Sequence, residues 1–173
     1  MEIAIERLSV HCDKIIISAN SEVYDHLGLE VVHDIFPDIG PMGGLYSALT
    51  KSTTEYNIVL SVDLPFVNDG LINHIIDSAK GFQLAVPWSG IEHYEPLCAC
   101  YHISVLGLLK EAISLGNFKL PSLFQQLTVN NLIINSKLPF YNDNLFFNIN
   151  STSDFISAEK LSKSMDIPRL RRE

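Results

Sequence analysis

Apolar and polar positions alternate between two periods along this chain. Ile3, Ala4 and Leu8, with Ile5 less regularly, fall at helical spacing while Glu2, Glu6 and Arg7 lie outside, which predicts an amphipathic helix over 1–11. Lys14–Ala19 carries Ile15, Ile16 and Ile17, a β-branched run typical of a strand buried on both faces. Ser21 caps a short helix over 22–27, which Gly28 ends, and Leu29–Val32 is a second short strand. Residues 35–42 read as loop around Pro37, Gly40 and Pro41, and a helix runs from Gly43 to Leu49. Tyr56–Val62 is an apolar strand that stops at Asp63; Leu71, Ile72, Ile75 and Ile76 mark a helix from Asp69 to about Ala79. Further strands are predicted at Phe82–Val86, Pro96–Tyr101, Leu132–Ile134 and Phe146–Ile149. Helices are predicted at Val105–Leu115, after Pro121, and from a Thr152 or Ser153 cap to Leu161.

This alternation is that of an α/β layered domain with a mostly parallel sheet and helices on both faces. It reads as one domain over 1–162, followed by a tail over 163–173 that has no apolar period and is expected to fray. A hydrophobic fraction of 47% and a charged fraction of 18% exclude disorder for most of the chain. The net charge of −8 argues against wrapping by nucleic acid, which needs a basic footprint, but leaves room for a single nucleotide. No apolar run is long enough for a membrane span, and the acidic N-terminus is unlike a signal peptide, so a cytoplasmic location is expected. Cys12, Cys98 and Cys100 make no disulfide framework; the Cys98-x-Cys100 pair is read as buried thiols sharing one strand face.

Ligands of open α/β sheets bind at the carboxyl ends of strands, and here four strand ends carry Asn or Asp: Asn20, Asp34, Asp63, and the pair Asn148 and Asn150. Each alone fits a turn or a cap; together they point to a polar site. Asp63 is the leading candidate, since the strand carries it out of the sheet and Pro65 ends further pairing. A lone strand-end carboxylate suits Mg²⁺, which binds one or two carboxylates and substrate phosphates. Gly40, Gly43 and Gly44 in the segment Gly40-Pro-Met-Gly-Gly44 let backbone N–H groups approach a ligand at a helix start, although a tight turn has the same composition. His93 and Glu95 open a loop entering the strand at Pro96, where a solvated loop is the simpler reading.

Taken together, Ile17-Ser-Ala-Asn20, Val32-His-Asp34, Gly40-Pro-Met-Gly-Gly-Leu45, Val62-Asp-Leu-Pro-Phe66, Glu95-Pro-Leu-Cys-Ala-Cys-Tyr101 and Phe147-Asn-Ile-Asn150 with Asp154 resemble the molybdenum cofactor guanylyltransferase family over about residues 1–162. The resemblance implies a three-layer, Rossmann-like fold of the nucleotide-diphospho-sugar transferase type. It implies transfer of GMP from GTP to the phosphate of molybdopterin with release of pyrophosphate. Asn20 and Asp34 would lie near guanine and ribose, Asp63 would be the catalytic residue and Mg²⁺ ligand, and Asn148 and Asn150 would face the pterin. Lys119 is a further candidate for offsetting phosphate charge, equally read as a solvated lysine. The expected state is a monomer making transient contact with molybdopterin-carrying proteins.

Members of this family begin with a strand, a Leu-Ala-Gly-Gly loop, an Arg-Met-Gly segment and an Asp-Lys pair. Nothing here corresponds, because Met1–Val10 already matches the helix that follows them. The first strand is therefore missing from the expected sheet, with unpaired backbone and an exposed apolar groove in its place, and weak nucleotide binding is expected. A transferase using CTP or another acceptor, and a non-catalytic ligand-binding relative, are the competing readings.

Overall fold

The short apolar runs become strands because helices on either side bury both of their faces. The computed structural model describes residues 1–88 and 94–164. In order it contains α1 (Glu2–Ser9), β1 (Ile16–Ser18), β2 (Glu30–Val32), α2 (Pro41–Lys51), β3 (Tyr56–Leu60), α3 (Asp69–Asp77), β4 (Leu84–Trp88), β5 (Cys98–His102), α4 (Leu106–Ser114), β6 (Val129–Ile133) and α5 (Thr152–Ser164). Short 3-10 helices cover Glu22–Leu27, Ile103–Val105 and Leu120–Gln126.

Side chains alternate along β4 and β5. Leu84 and Val86, with Ala99 and Tyr101, face a core built from Met42, Leu45 and Leu49 of α2 and Leu109 and Ala112 of α4. Ala85, Cys98 and Cys100 face the opposite way, onto Leu71, Ile72 and Ile75 of α3. Two helical layers thus enclose the sheet, as expected. The larger sheet has the order β3-β5-β4-β6. Its β4 and β6 are parallel, and β5 is antiparallel to both of its neighbours, so β5 alone runs against the rest.

β1 and β2 form a separate parallel ribbon, with Ile17 opposite Val31. Each of β1 and β3 is therefore the edge of its sheet. The strands thus form two sheets where one was expected. The α2 helix spans the division from above: it packs on β1 and β2 and touches α4 on the far side. No residue of α1 is buried, although its pattern is amphipathic.

Several boundaries differ from the sequence reading. The helix expected from Gly43 starts at Pro41, with Gly40 at the N-cap and proline at the first helical position, where its missing N–H costs nothing. The segment 22–27 is 3-10 helix, capped by Ser21 and closed by Gly28 at φ 68° as predicted. The last strand lies at Val129–Ile133, ahead of the predicted 132–134. The expected strand Phe146–Ile149 does not form: its backbone follows turns, with Phe147 N–H donating to Asn144 C=O at 2.9 Å. Phe147 and Ile149 instead pack into a small separate core with Phe66, Phe155 and Ala158. The predicted tail gives up Lys163 and Ser164 to α5, and 165–173 lie outside the described residues.

Candidate active site

The sequence-predicted residues fall into two groups, one on each side of the divided sheet. The first forms around the start of α2. Asn20, just beyond β1, and Asp34, just beyond β2, are held to each other reciprocally. Asn20 Nδ2 donates to Asp34 Oδ2 at 2.8 Å, and Asp34 N–H donates to Asn20 Oδ1 at 2.8 Å. Parallel strands ending side by side place the two residues together. Against this pair sits the first turn of α2. A Cβ on Gly43 would lie 2.6 Å from Phe36 O and 3.5 Å from Asp34 Oδ2. One on Gly44 would lie 2.7 Å from Ser18 Oγ and 3.5 Å from Asp34 Oδ1. These two glycines are close-approach positions. Gly40 has open space around it and is needed for its backbone, at φ 69°. The result is an amide–carboxylate pair, its Asn20 exposed and its Asp34 partly buried, set on the positive end of an eleven-residue helix.

The second group forms where β3 ends. The chain turns at Ser61–Pro65, and Asp63 C=O accepts from Ile149 N–H at 2.9 Å. This bond joins the Asn148–Asn150 segment to the end of β3 without any strand pairing. Asp63 Oδ1 is buried and has no hydrogen-bond partner among the described residues. A buried carboxylate oxygen without a partner is costly, and a cation or a donor supplied from outside would satisfy it. Beside it opens a groove of 590 Å³, walled by Ile3 and Arg7 of α1, Val62 and Asp63, and Asn150 and Phe155.

Asn150 lines the groove and Asn148 does not, and the strand expected to carry both residues to the site does not form. Nor does Asn150 cap α5. Ser151 does so: its Oγ accepts from Asp154 N–H at 3.2 Å and donates to Asp154 Oδ2 at 2.8 Å, while that same Oδ2 accepts from Asn150 N–H at 3.1 Å. The Ser151 hydroxyl, followed by the N–H groups of Asn150 and Ser151, holds the Asp154 carboxyl below its ordinary value.

Glu95 and Lys119 do not line the groove. Glu95 ties β4 to β5 through its backbone, donating to Pro87 C=O and accepting from Cys98 N–H. Lys119 N–H is held by Asn117 Oδ1 in a surface turn. His93 lies outside the described residues. Among the described residues no group of three or more His, Cys, Asp or Glu side chains could hold a metal ion. Cys98 and Cys100 are core thiols; burial pushes Cys100 up to about 11 and Cys98 further still. Among the described residues no helix is long and apolar enough to cross a membrane. Sequence reasoning missed Ser18, Ser47 and Ser151. Only Ser151 carried a legible signal, the Ser-x-x-Asp spacing of a capping box.

The family model described as "MobA-like NTP transferase domain" matches residues 1–131. A probable molybdenum cofactor guanylyltransferase of Clostridium perfringens (strain 13 / Type A) is 31% identical over 170 residues, covering 96% of this chain and 84% of that protein. The crystal structure of molybdopterin-guanine dinucleotide biosynthesis protein A from Archaeoglobus fulgidus superposes with a TM-score of 0.77 at 24% identity, over 95% of this chain and 85% of that one. The fold is shared more widely: 2-C-methyl-D-erythritol 4-phosphate cytidylyltransferase from Thermus thermophilus gives 0.69 at 14% identity, over 94% and 88% of the two chains. With three-quarters of its length matched by that family model, this chain belongs to the MobA-like NTP transferases.

Proposed function

We propose that this chain is a molybdenum cofactor guanylyltransferase, moving GMP from GTP to the terminal phosphate of molybdopterin. The observation that carries the reading is the buried, unpartnered Asp63 Oδ1 at the end of β3, beside an open groove. Asn20 and Asp34 hold base and ribose, and the first turn of α2 presents its N–H groups next to them. Asp63 fits Mg²⁺: it offers one hard oxygen that no group among the described residues satisfies, and substrate phosphates and water would supply the other ligands. The ion, when bound, neutralises charge on the phosphates. An oxygen of the acceptor phosphate attacks the α-phosphorus of GTP. The bond from that phosphorus to the bridging oxygen breaks, and pyrophosphate leaves with the electron pair. Little covalent help is needed from the chain; its residues align acceptor and donor and keep charge balanced. Asn150 lines the groove on the acceptor side, where its amide both donates and accepts.

CTP is the second reading, supported by the fold shared with a cytidylyltransferase. Both are tested by pyrophosphate release from GTP or CTP with Mg²⁺ and molybdopterin. Release with GTP, and a product carrying GMP, is expected. Release with CTP alone supports the second reading, and release with neither overturns both.

A further inference from the structure

Asp34 is tied to Asn20 through its carboxylate and its N–H, but both partners lie on loops beyond the strands, and those bonds do not fix the pair relative to α2. Its neighbour Ile35 is half exposed and does not anchor the loop through its side chain. The link to the helix is Ser47, in the second turn of α2. Ser47 is wholly buried, one of two buried polar side chains among the described residues. Its hydroxyl donates to Gly43 C=O at 2.7 Å and accepts from Ile35 N–H at 2.8 Å. The first bond is ordinary for serine inside a helix. The second joins the loop backbone to the helix. Phe36 follows, packed at a tilt against Tyr46 with ring centroids 5.4 Å apart. One hydroxyl thus links the first turn of α2, at Gly43, to the peptide that follows Asp34.

We infer that Ser47 is a positioning residue for nucleotide binding: by holding Ile35 N–H it sets the Asp34 carboxylate beside Asn20 and over the start of α2. This rests on the reading that Asp34 contacts the nucleotide. Ser47→Ala keeps the helix, because alanine is the better helix former. It leaves Ile35 N–H without its buried acceptor, and the loop loses register with Gly43 and Gly44.

The experiment measures Mg·GTP binding to the whole chain by saturation-transfer NMR, with KM and kcat where turnover is seen, and amide exchange at Ile35. Asp34→Ala tests the underlying reading, and Thr50→Ala is the control. Thr50 makes the same back-bond on α2, to Tyr46 C=O at 2.8 Å, and its hydroxyl has no loop donor among its bonds. Ser47→Ala is expected to weaken binding or raise KM for GTP about tenfold with kcat nearly unchanged, since one buried bond is lost. Ile35 exchange should quicken, and Thr50→Ala should match the parent chain. Ser47→Cys, of similar shape with a weak acceptor, should fall between and decides the matter if the alanine variant does not fold. Faster Ile35 exchange with unchanged GTP binding in the cysteine variant overturns the inference. So does a fall in kcat and thermal stability with no change in KM. If Asp34→Ala itself leaves GTP binding unchanged, or the parent chain binds none, the underlying reading falls instead.

Discussion

Replacing Asp63 by alanine should separate stability from activity. The substitution removes the buried Oδ1 that has no partner, while the bond from Ile149 N–H to the Asp63 carbonyl is a backbone bond and survives. An unsatisfied buried polar atom costs ~1–3 kcal/mol, and the partial exposure of the rest of this residue favours the lower end. Metal-free Asp63→Ala should therefore gain about 1 kcal/mol, or ~2–4 °C in Tm for a chain of this size. Adding Mg·GTP at ten times its dissociation constant should stabilise the parent by ~1.4 kcal/mol and the variant not at all. Transferase turnover should fall by at least ~10²-fold, because the charge neutralisation a bound cation provides is worth several kcal/mol. Calorimetric unfolding with and without Mg·GTP, beside a pyrophosphate-release assay, reads all three. A variant less stable than the parent in chelator, with an equal response to Mg·GTP, would show that Asp63 is a turn residue.

Gly44→Ala and Gly43→Ala should both destabilise by ~1–3 kcal/mol despite the helix preference for alanine, read by urea denaturation. Gly43 should cost more, since its Cβ meets the Phe36 carbonyl whereas the Ser18 hydroxyl facing Gly44 can rotate. Ser151→Ala should lower stability by ~1 kcal/mol through loss of the α5 cap, whereas Asn150→Ala should leave stability unchanged and weaken acceptor binding by ~1–3 kcal/mol. Because the Asp154 carboxyl is held below its ordinary 3.8, its support of α5 is present above that value and lost as pH falls through the lower folded one; an acid titration followed by circular dichroism should show Ser151→Ala removing that step. Iodoacetamide at pH 8 should label the half-buried Cys12 slowly and leave Cys98 and Cys100 unmodified until the chain unfolds, as mass spectrometry of peptides would show.

The legible parts of the fold are those in which one residue type answers one environment. Ile16 and Ile17 mark β1, and the apolar stripe of Leu71, Ile72 and Ile75 marks the face of α3 that is buried. The β6 strand was displaced in the reading because it begins Val129-Asn-Asn, a polar start. It is tolerated because Asn130 Nδ2 donates to Ser78 C=O at 2.9 Å, a partner 52 residues away. Phe146–Ile149 misled for the opposite reason: apolar residues need burial, and a side pocket against Phe66 provides it without pairing. At the site, strand-end position places Asn20 and Asp34 just beyond β1 and β2, where the structure pairs them directly, and Asp63 in the turn after β3. Ser47 carried no signal, since what makes it important is a backbone N–H twelve residues back that only the folded chain brings within reach.

The divided sheet makes the molecule mechanically uneven. A two-stranded ribbon is at best marginal in water on its own, so β1 and β2 owe their persistence to the helix laid across them. The four-stranded half is closed between α2, α4 and α3 and carries most of the deeply buried side chains. Thermal agitation will therefore lift the ribbon away while the larger half stays shut, a sub-global opening of low free energy. Asn20 and Asp34 ride on the ribbon, and Asp63 on the solid half. Warming the protein should thus separate Asn20 and Asp34 from the start of α2 well below the temperature at which the far-ultraviolet signal collapses, with Asp63 still in its native place.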